Sequence, residues 1–202
     1  FGTKRSKGKQ NNQQRKNFSL MSKARSAYSI SSKKEKFATH IIVVWVDNEA
    51  GVLARIAGLF SGRGYNIESL AVAEVDRKLN ISRITIVTTG TPQVINQIRL
   101  QLKKLIPVHN VADFKKEDKK VIFKEMALLK VVGKNGKRNK ALKACKKFNP
   151  VILDKTNKSF VIQITALRRE IDKMIVDLKK FGLVSVSRTG AVAMTRGSEI
   201  FK

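Results

Sequence analysis

The sequence predicts an α+β protein made of two ferredoxin-like βαββαβ units behind a basic N-terminal arm. Three observations carry that reading. Between residues 38 and 114, short β-branched runs alternate with two segments of helical period in the order βαββαβ. Between 121 and 202 the same order returns more faintly. Ahead of both, residues 1–37 hold 11 Lys and Arg against one acid, Glu35, among many Ser, Asn and Gln. The chain has 202 residues, 42% of them apolar, which is enough for two cores of modest size.

The elements follow in order. His40–Val46 is a β-branched run and predicts a buried strand. Asp47 to Gly51 is turn chemistry. From Val52 to Arg63, apolar residues at 52, 53, 56, 57, 59 and 60 make one wide helical face, which Gly62 and Gly64 end. Tyr65–Val75 predicts a strand, 76–80 a polar turn, and Ile81–Thr89 a strand with Ile84 and Ile86 alternating against Arg83 and Thr85. Thr91-Pro92 opens a second helix with Val94, Ile95, Ile98, Leu102 and Leu105 at helical spacing. Pro107 stops it, and Val108–Phe114 is the fourth strand. Such an order places both helices on one face of an antiparallel sheet.

After a charged hinge at Lys115–Lys120, the pattern repeats. Lys124–Val132 predicts a strand and Asn135–Phe148 a Lys-rich helix with a thin stripe of Ala141, Leu142, Cys145 and Phe148. Val151–Asp154 and Ser159–Ala166 predict strands. Leu167–Phe181 is a helix with Ile171, Met174, Ile175, Leu178 and Phe181 inward, and Leu183–Ser187 is the last strand. The boundaries expected are therefore 1–37 for the arm, 38–114 for the first unit and 121–202 for the second.

The net charge of +27 makes a polyanion the expected partner, and it is unevenly spread. The arm is net +10, residues 38–98 are neutral, and residues 99–202 are net +17. From Met126 to Leu153 there are eight basic residues and no acid. Lys4, Arg5, Lys7, Lys9, Arg15 and Lys16 of the arm are candidate RNA contacts. So are Lys134, Lys137, Arg138, Lys140, Lys143, Lys146 and Lys147 on and around the third helix, largely off its apolar stripe. The arm has too little apolar surface to fold alone and is expected to order only against a polyanion. Its basic, Ser-containing, acid-poor composition resembles that of an organellar presequence, whole or as a remnant.

Catalytic chemistry finds no footing. One cysteine excludes an intrachain disulfide and a cysteine-rich zinc site, and two histidines leave little for metal binding. Gly62-x-Gly64 lacks the third glycine of a dinucleotide loop and follows a helix, and Gly133-Lys134 has no Walker loop. Cys145 reads as a buried structural thiol, His40 and His109 as structural or exposed, and Trp45 as core. No cofactor, no metal and no membrane span are expected, since no apolar run reaches about 18 residues. Asn48–Leu53 reads either as simple turn and cap residues or as a binding site. Gly51 at a strand-to-helix junction allows close backbone approach, and the free N–H groups of the following helix suit a carboxylate. Asn66, after Gly64, is expected to re-enter the sheet near the same end, so that two asparagines would flank an amino acid.

The stretches HIIVVWVDNEAGVLARIAGLFSGRGYNIESLAV, SRITIVTTG, KEMALLKV and SRTGAVAMTRGSEIF resemble the regulatory (small) subunit family of acetolactate synthase, over roughly residues 38–202. The resemblance implies an N-terminal ACT domain and a related ferredoxin-like C-terminal domain. It implies a homodimer through paired ACT sheets, with valine at their interface. Asn48, Gly51, Val52, Leu53, Asn66 and Ile67 match the positions that hold the amino acid. The family it resembles is not catalytic: it activates a thiamine-diphosphate enzyme and confers feedback inhibition.

Two functional expectations follow. The charge favours an ACT-fold protein recruited as an RNA-binding structural component of a mitochondrial ribosome, with ribosomal RNA and neighbouring ribosomal proteins as partners. The alternative is the regulatory subunit itself, in a mitochondrion or plastid, with the acetolactate synthase catalytic subunit and valine as partners in branched-chain amino-acid biosynthesis.

Overall fold

The computed structural model of the protein describes residues 36–116, 118–198 and 200. Candidate RNA contacts Lys4, Arg5, Lys7, Lys9, Arg15 and Lys16 lie outside the described residues.

The first sheet is antiparallel with strand order β2-β3-β1-β4. It contains β1 (Ala38–Asp47), β2 (Ser69–Asp76), β3 (Ile81–Gly90) and β4 (Val108–Lys115), with helices α1 (Val52–Ser61) and α2 (Pro92–Leu102) in the connections. Thr91 caps α2 by accepting the Val94 N–H, and Pro92 supplies a φ already suited to the first turn. Ile42, Val44 and Val46 of β1 pack with Ile56 and Phe60 of α1 and with Ile95 and Ile98 of α2. Each such side chain, buried in full, contributes about 1.5–3 kcal/mol.

The second sheet repeats the order as β6-β7-β5-β8. Here β5 spans Val121–Val132, β6 Val151–Lys155, β7 Ser159–Ala166 and β8 Leu183–Arg188, with α3 (Asn135–Cys145) and α4 (Arg168–Lys179) between them. A one-turn 3₁₀ helix, Lys146–Phe148, extends α3, and Asn149 in the left-handed region ends it. Leu129, Val131, Phe160, Ile162, Met174 and Leu178 lie in the second core.

Two features depart from the sequence expectation. The strand expected from Tyr65 begins only at Ser69, because Tyr65 to Glu68 form the loop that leaves α1. A further short strand, β9 (Val192–Thr195), pairs with the first residues of β5, Val121–Lys124, which extends β5 beyond its expected start. This two-stranded ribbon covers the face of the first sheet opposite its helices. Ile41, Val43 and Val87 there meet Val121, Ala191 and Ala193. The coverage explains why β1 is a continuous apolar run: a strand buried on both faces has no solvent side to alternate with.

The ribbon is tied down by polar contacts too. Arg83 of β3 lies over the Trp45 ring, 5.2 Å from its centroid, and donates to the Ala193 carbonyl. Trp45 is thus half-buried beneath a cation rather than enclosed in the core. Gly190 brings the backbone close: its φ is +82°, and an added Cβ would sit 2.7 Å from Ser69 Oγ. Gly190→Ala is therefore expected to cost about 1–3 kcal/mol through the left-handed backbone and the clash together. Urea denaturation of the full chain measures it. An unchanged midpoint would show that the ribbon can retreat freely.

Candidate functional site

The β1–α1 turn is built by β3. The Asn48 N–H donates to the Asn80 carbonyl at 2.7 Å, and Asn80 Nδ2 returns a bond to the Asn48 carbonyl at 3.3 Å. Ser82 Oγ donates to Asn48 Oδ1 at 3.0 Å, which fixes the amide's orientation and leaves its NH₂ pointing away from that bond. Gly51, at φ 86°, precedes α1, and an added Cβ there would meet nothing within 4 Å. No side chain caps α1, and no acid stands in its first turn. The backbone at Gly51 and the start of α1 therefore face open space. Val52 is buried in the first core, while Leu53 is exposed beside the opening.

Asn66 lies elsewhere. Its carbonyl accepts Thr88 Oγ1 at 2.7 Å, near the far end of β3. Ser82, which holds Asn48, and Thr88, which holds Asn66, are roughly 20 Å apart along the strand at about 3.4 Å per residue. The expectation that Asn66 re-enters the sheet beside Asn48 is thus corrected. Helix α1 runs the length of the sheet before the Asn66 loop begins. Ile67 is half-buried and packs against the first core, so the Asn66–Ile67 pair forms a separate, anchored candidate half-site. Sequence spacing pointed to Asn48 and Asn66 but gave no sign of Asn80, Ser82 and Thr88, because strand register is a long-range property.

Strand β2, between the two half-sites, is an edge that pairs with β3 alone among the described residues. Val72 and Val75 on it are 45% and 53% exposed, and Leu79 in the following turn is 67% exposed. An apolar, unpaired edge of this kind is a template for pairing with another strand.

The other candidates resolve as follows. His40 is buried with Nδ1 2.8 Å from Asp113 Oδ1, and His109 Nε2 lies 2.6 Å from Asp47 Oδ1 at the surface. Cys145 is buried, its Sγ 3.6 Å from Met174 Sδ, and burial pushes the thiol up to about 11, the opposite of what a nucleophile needs. Among the described residues, no group of three or more His, Cys, Asp or Glu is placed to hold a metal. Lys134, Lys137, Lys140, Lys143, Lys146 and Lys147 are exposed. Arg138 instead turns inward to donate to the Thr156 carbonyl at 2.7 Å. A charge cluster the sequence did not reveal sits in the second unit. Glu125, 3% exposed, takes both Arg188 Nε and Nη2, at 2.6 and 2.7 Å, and Arg188 Nη1 reaches Asp172 at 2.6 Å. The bonds that Arg188 donates to Glu125, with those to Asp172, outweigh desolvation and hold its guanidinium charged.

Two βαββαβ units with the same strand order, the first with an uncapped helix start and an open edge strand, define a paired ACT-like protein. Comparisons with known proteins narrow this. Residues 42–110 match the family model for the AHAS small subunit-like ACT domain, and residues 124–197 match that for the small subunit of acetolactate synthase. A probable acetolactate synthase small subunit from Archaeoglobus fulgidus is 37% identical over 160 residues, covering 79% of this chain and 98% of the relative. The small subunit from Aquifex aeolicus is 40% identical over 169 residues, covering 83% and 86%. The crystal structure of the Thermotoga maritima small subunit superposes with a TM-score of 0.72 at 30% identity, covering 80% of this chain and 99% of that one. The chain belongs to the acetolactate synthase small subunit family. None of these similarities supports a ribosomal or RNA-binding role.

Proposed function

We propose that the protein is the regulatory subunit of an acetolactate synthase. It activates a separate thiamine-diphosphate catalytic subunit and makes it sensitive to valine. The observation that carries this reading is the match to small subunits through both units and over nearly the whole length of those relatives.

The separation of the half-sites supports a dimeric effector site. Antiparallel pairing of β2 with β2 of a second copy, about a two-fold axis, reverses the second sheet end for end. The Asn48 end of one copy then meets the Asn66 end of the other. Valine's carboxylate fits the N–H groups at the start of α1 and the free Asn48 amide NH₂, and its ammonium fits the side-chain oxygen of Asn66 from the other copy. The exposed Val72 and Val75 become part of the pairing.

Calorimetry tests this. Asn48→Ala and Asn66→Ala should each weaken valine binding by about 1.5–3 kcal/mol, roughly ten- to a hundredfold, through loss of a bond to a charged group. Mixing the two variants should regain part of the binding capacity, because each mixed dimer holds one site with both asparagines. If mixing regains nothing while the proteins exchange subunits, the site does not cross the dimer.

A further inference from the structure

A cavity of about 400 Å³ lies at the junction of the two units, away from the Asn48 half-site. Thr39, Ile41 and Val87 of the first sheet, Glu68 just before β2, Phe123 of β5 and Leu167 before α4 line it. Four cations also line it: Lys116 from the connection, Lys124 from β5, and Arg168 and Arg169 from the first turn of α4. Glu68 is the one acid among the described lining residues, and its carboxylate is already engaged by the Thr89 hydroxyl and Arg168. That engagement is incomplete. Arg168 Nη1 stands 3.8 Å from Glu68 Oε2, too far for a hydrogen bond, and it is buried with no hydrogen-bond partner.

We propose that this cavity binds a small organic anion with a carboxylate head and a short apolar body. The head is chosen by charge: four cations against one engaged acid line a partly open cleft, a net positive setting that attracts an anion. The start of α4 adds its positive end, although the Leu167 N–H is already taken by Glu170 Oε2 at 3.0 Å. Ile41, Val87 and Phe123 choose the body, since they give a bare inorganic ion nothing to cover. An amino acid is disfavoured, because its ammonium would be placed among the cations. The site is thus chemically distinct from the proposed valine site. Both units line the cavity, so occupancy pins them together and raises thermal stability by linkage.

The test uses the full chain with isovalerate as probe, inorganic phosphate and valine as controls, and calorimetry with thermal melts as readouts. Isovalerate should bind and raise the melting temperature, and its affinity should fall as salt rises. Lys124→Gln/Arg169→Gln, two exposed positions whose change leaves the cores untouched, should weaken isovalerate by roughly tenfold or more. Asn48→Ala should leave isovalerate binding unchanged, which separates a failure of this site from a failure of the valine site. Absence of isovalerate binding at millimolar concentration would overturn the proposal, as would binding indifferent to the double substitution. Phosphate binding as tightly as isovalerate would overturn the organic-anion assignment.

Discussion

Arg188→Met is expected to destabilise the protein by about 3–5 kcal/mol, the cost of leaving a buried charge without its partner. Glu125 sits on the helix-covered face of β5, almost wholly out of water, and both its oxygens are held by one guanidinium. Removing the guanidinium strands the carboxylate in a setting where desolvation is uncompensated. The reverse change is milder, since Arg188 is more exposed than Glu125 and keeps Asp172. Replacing both, with Glu125→Leu and Arg188→Met, should recover much of the loss, because an apolar pair needs no ionic partner. Urea denaturation of the two single variants and the double variant measures the coupling. A loss below about 1 kcal/mol in Arg188→Met would mean that water reaches Glu125.

Phe60→Ala should cost a similar amount, about 3–5 kcal/mol, for a different reason. Phe60 is 1% exposed at the end of α1, and its ring meets Tyr65 edge-on at 6.1 Å. The Tyr65 N–H also donates to the Phe60 carbonyl at 2.9 Å, so this residue anchors the loop that carries Asn66. A cavity there should lower the melting temperature by about 2–4 °C per kcal/mol and also weaken valine binding. Retained valine affinity in a protein so destabilised would show that the Asn66 loop is held by Thr88 alone.

Much of the fold was legible because its signals are local. The two unit patterns, the Thr91-Pro92 helix start and the β7 limits can be read from residue type and period. What escaped depends on pairing at a distance. β9 is four residues long and makes sense only against Val121–Lys124, about seventy residues earlier in the chain. The Glu125–Arg188 pair had one signal, an acid inside the apolar run of β5, but its partner lies on another strand. The candidate amino-acid-binding residues were named through family resemblance, yet the separation of Asn48 from Asn66, held at Ser82 and Thr88 of β3, could not be seen without register. The basic surface favoured an RNA partner, a reading that none of the similarities to known proteins supports. Its lysines on α3 face solvent, an arrangement that by itself identifies no partner.

The most direct measurement is the rate of acetolactate formation by an acetolactate synthase catalytic subunit titrated with this chain, with and without valine. The rate should rise to a plateau as the chain saturates the enzyme, and valine should remove most of that increment. Asn48→Ala should preserve the rise and blunt the valine effect. A rate that the chain leaves unchanged, from a protein that instead binds RNA with a steep salt dependence, would contradict the regulatory reading.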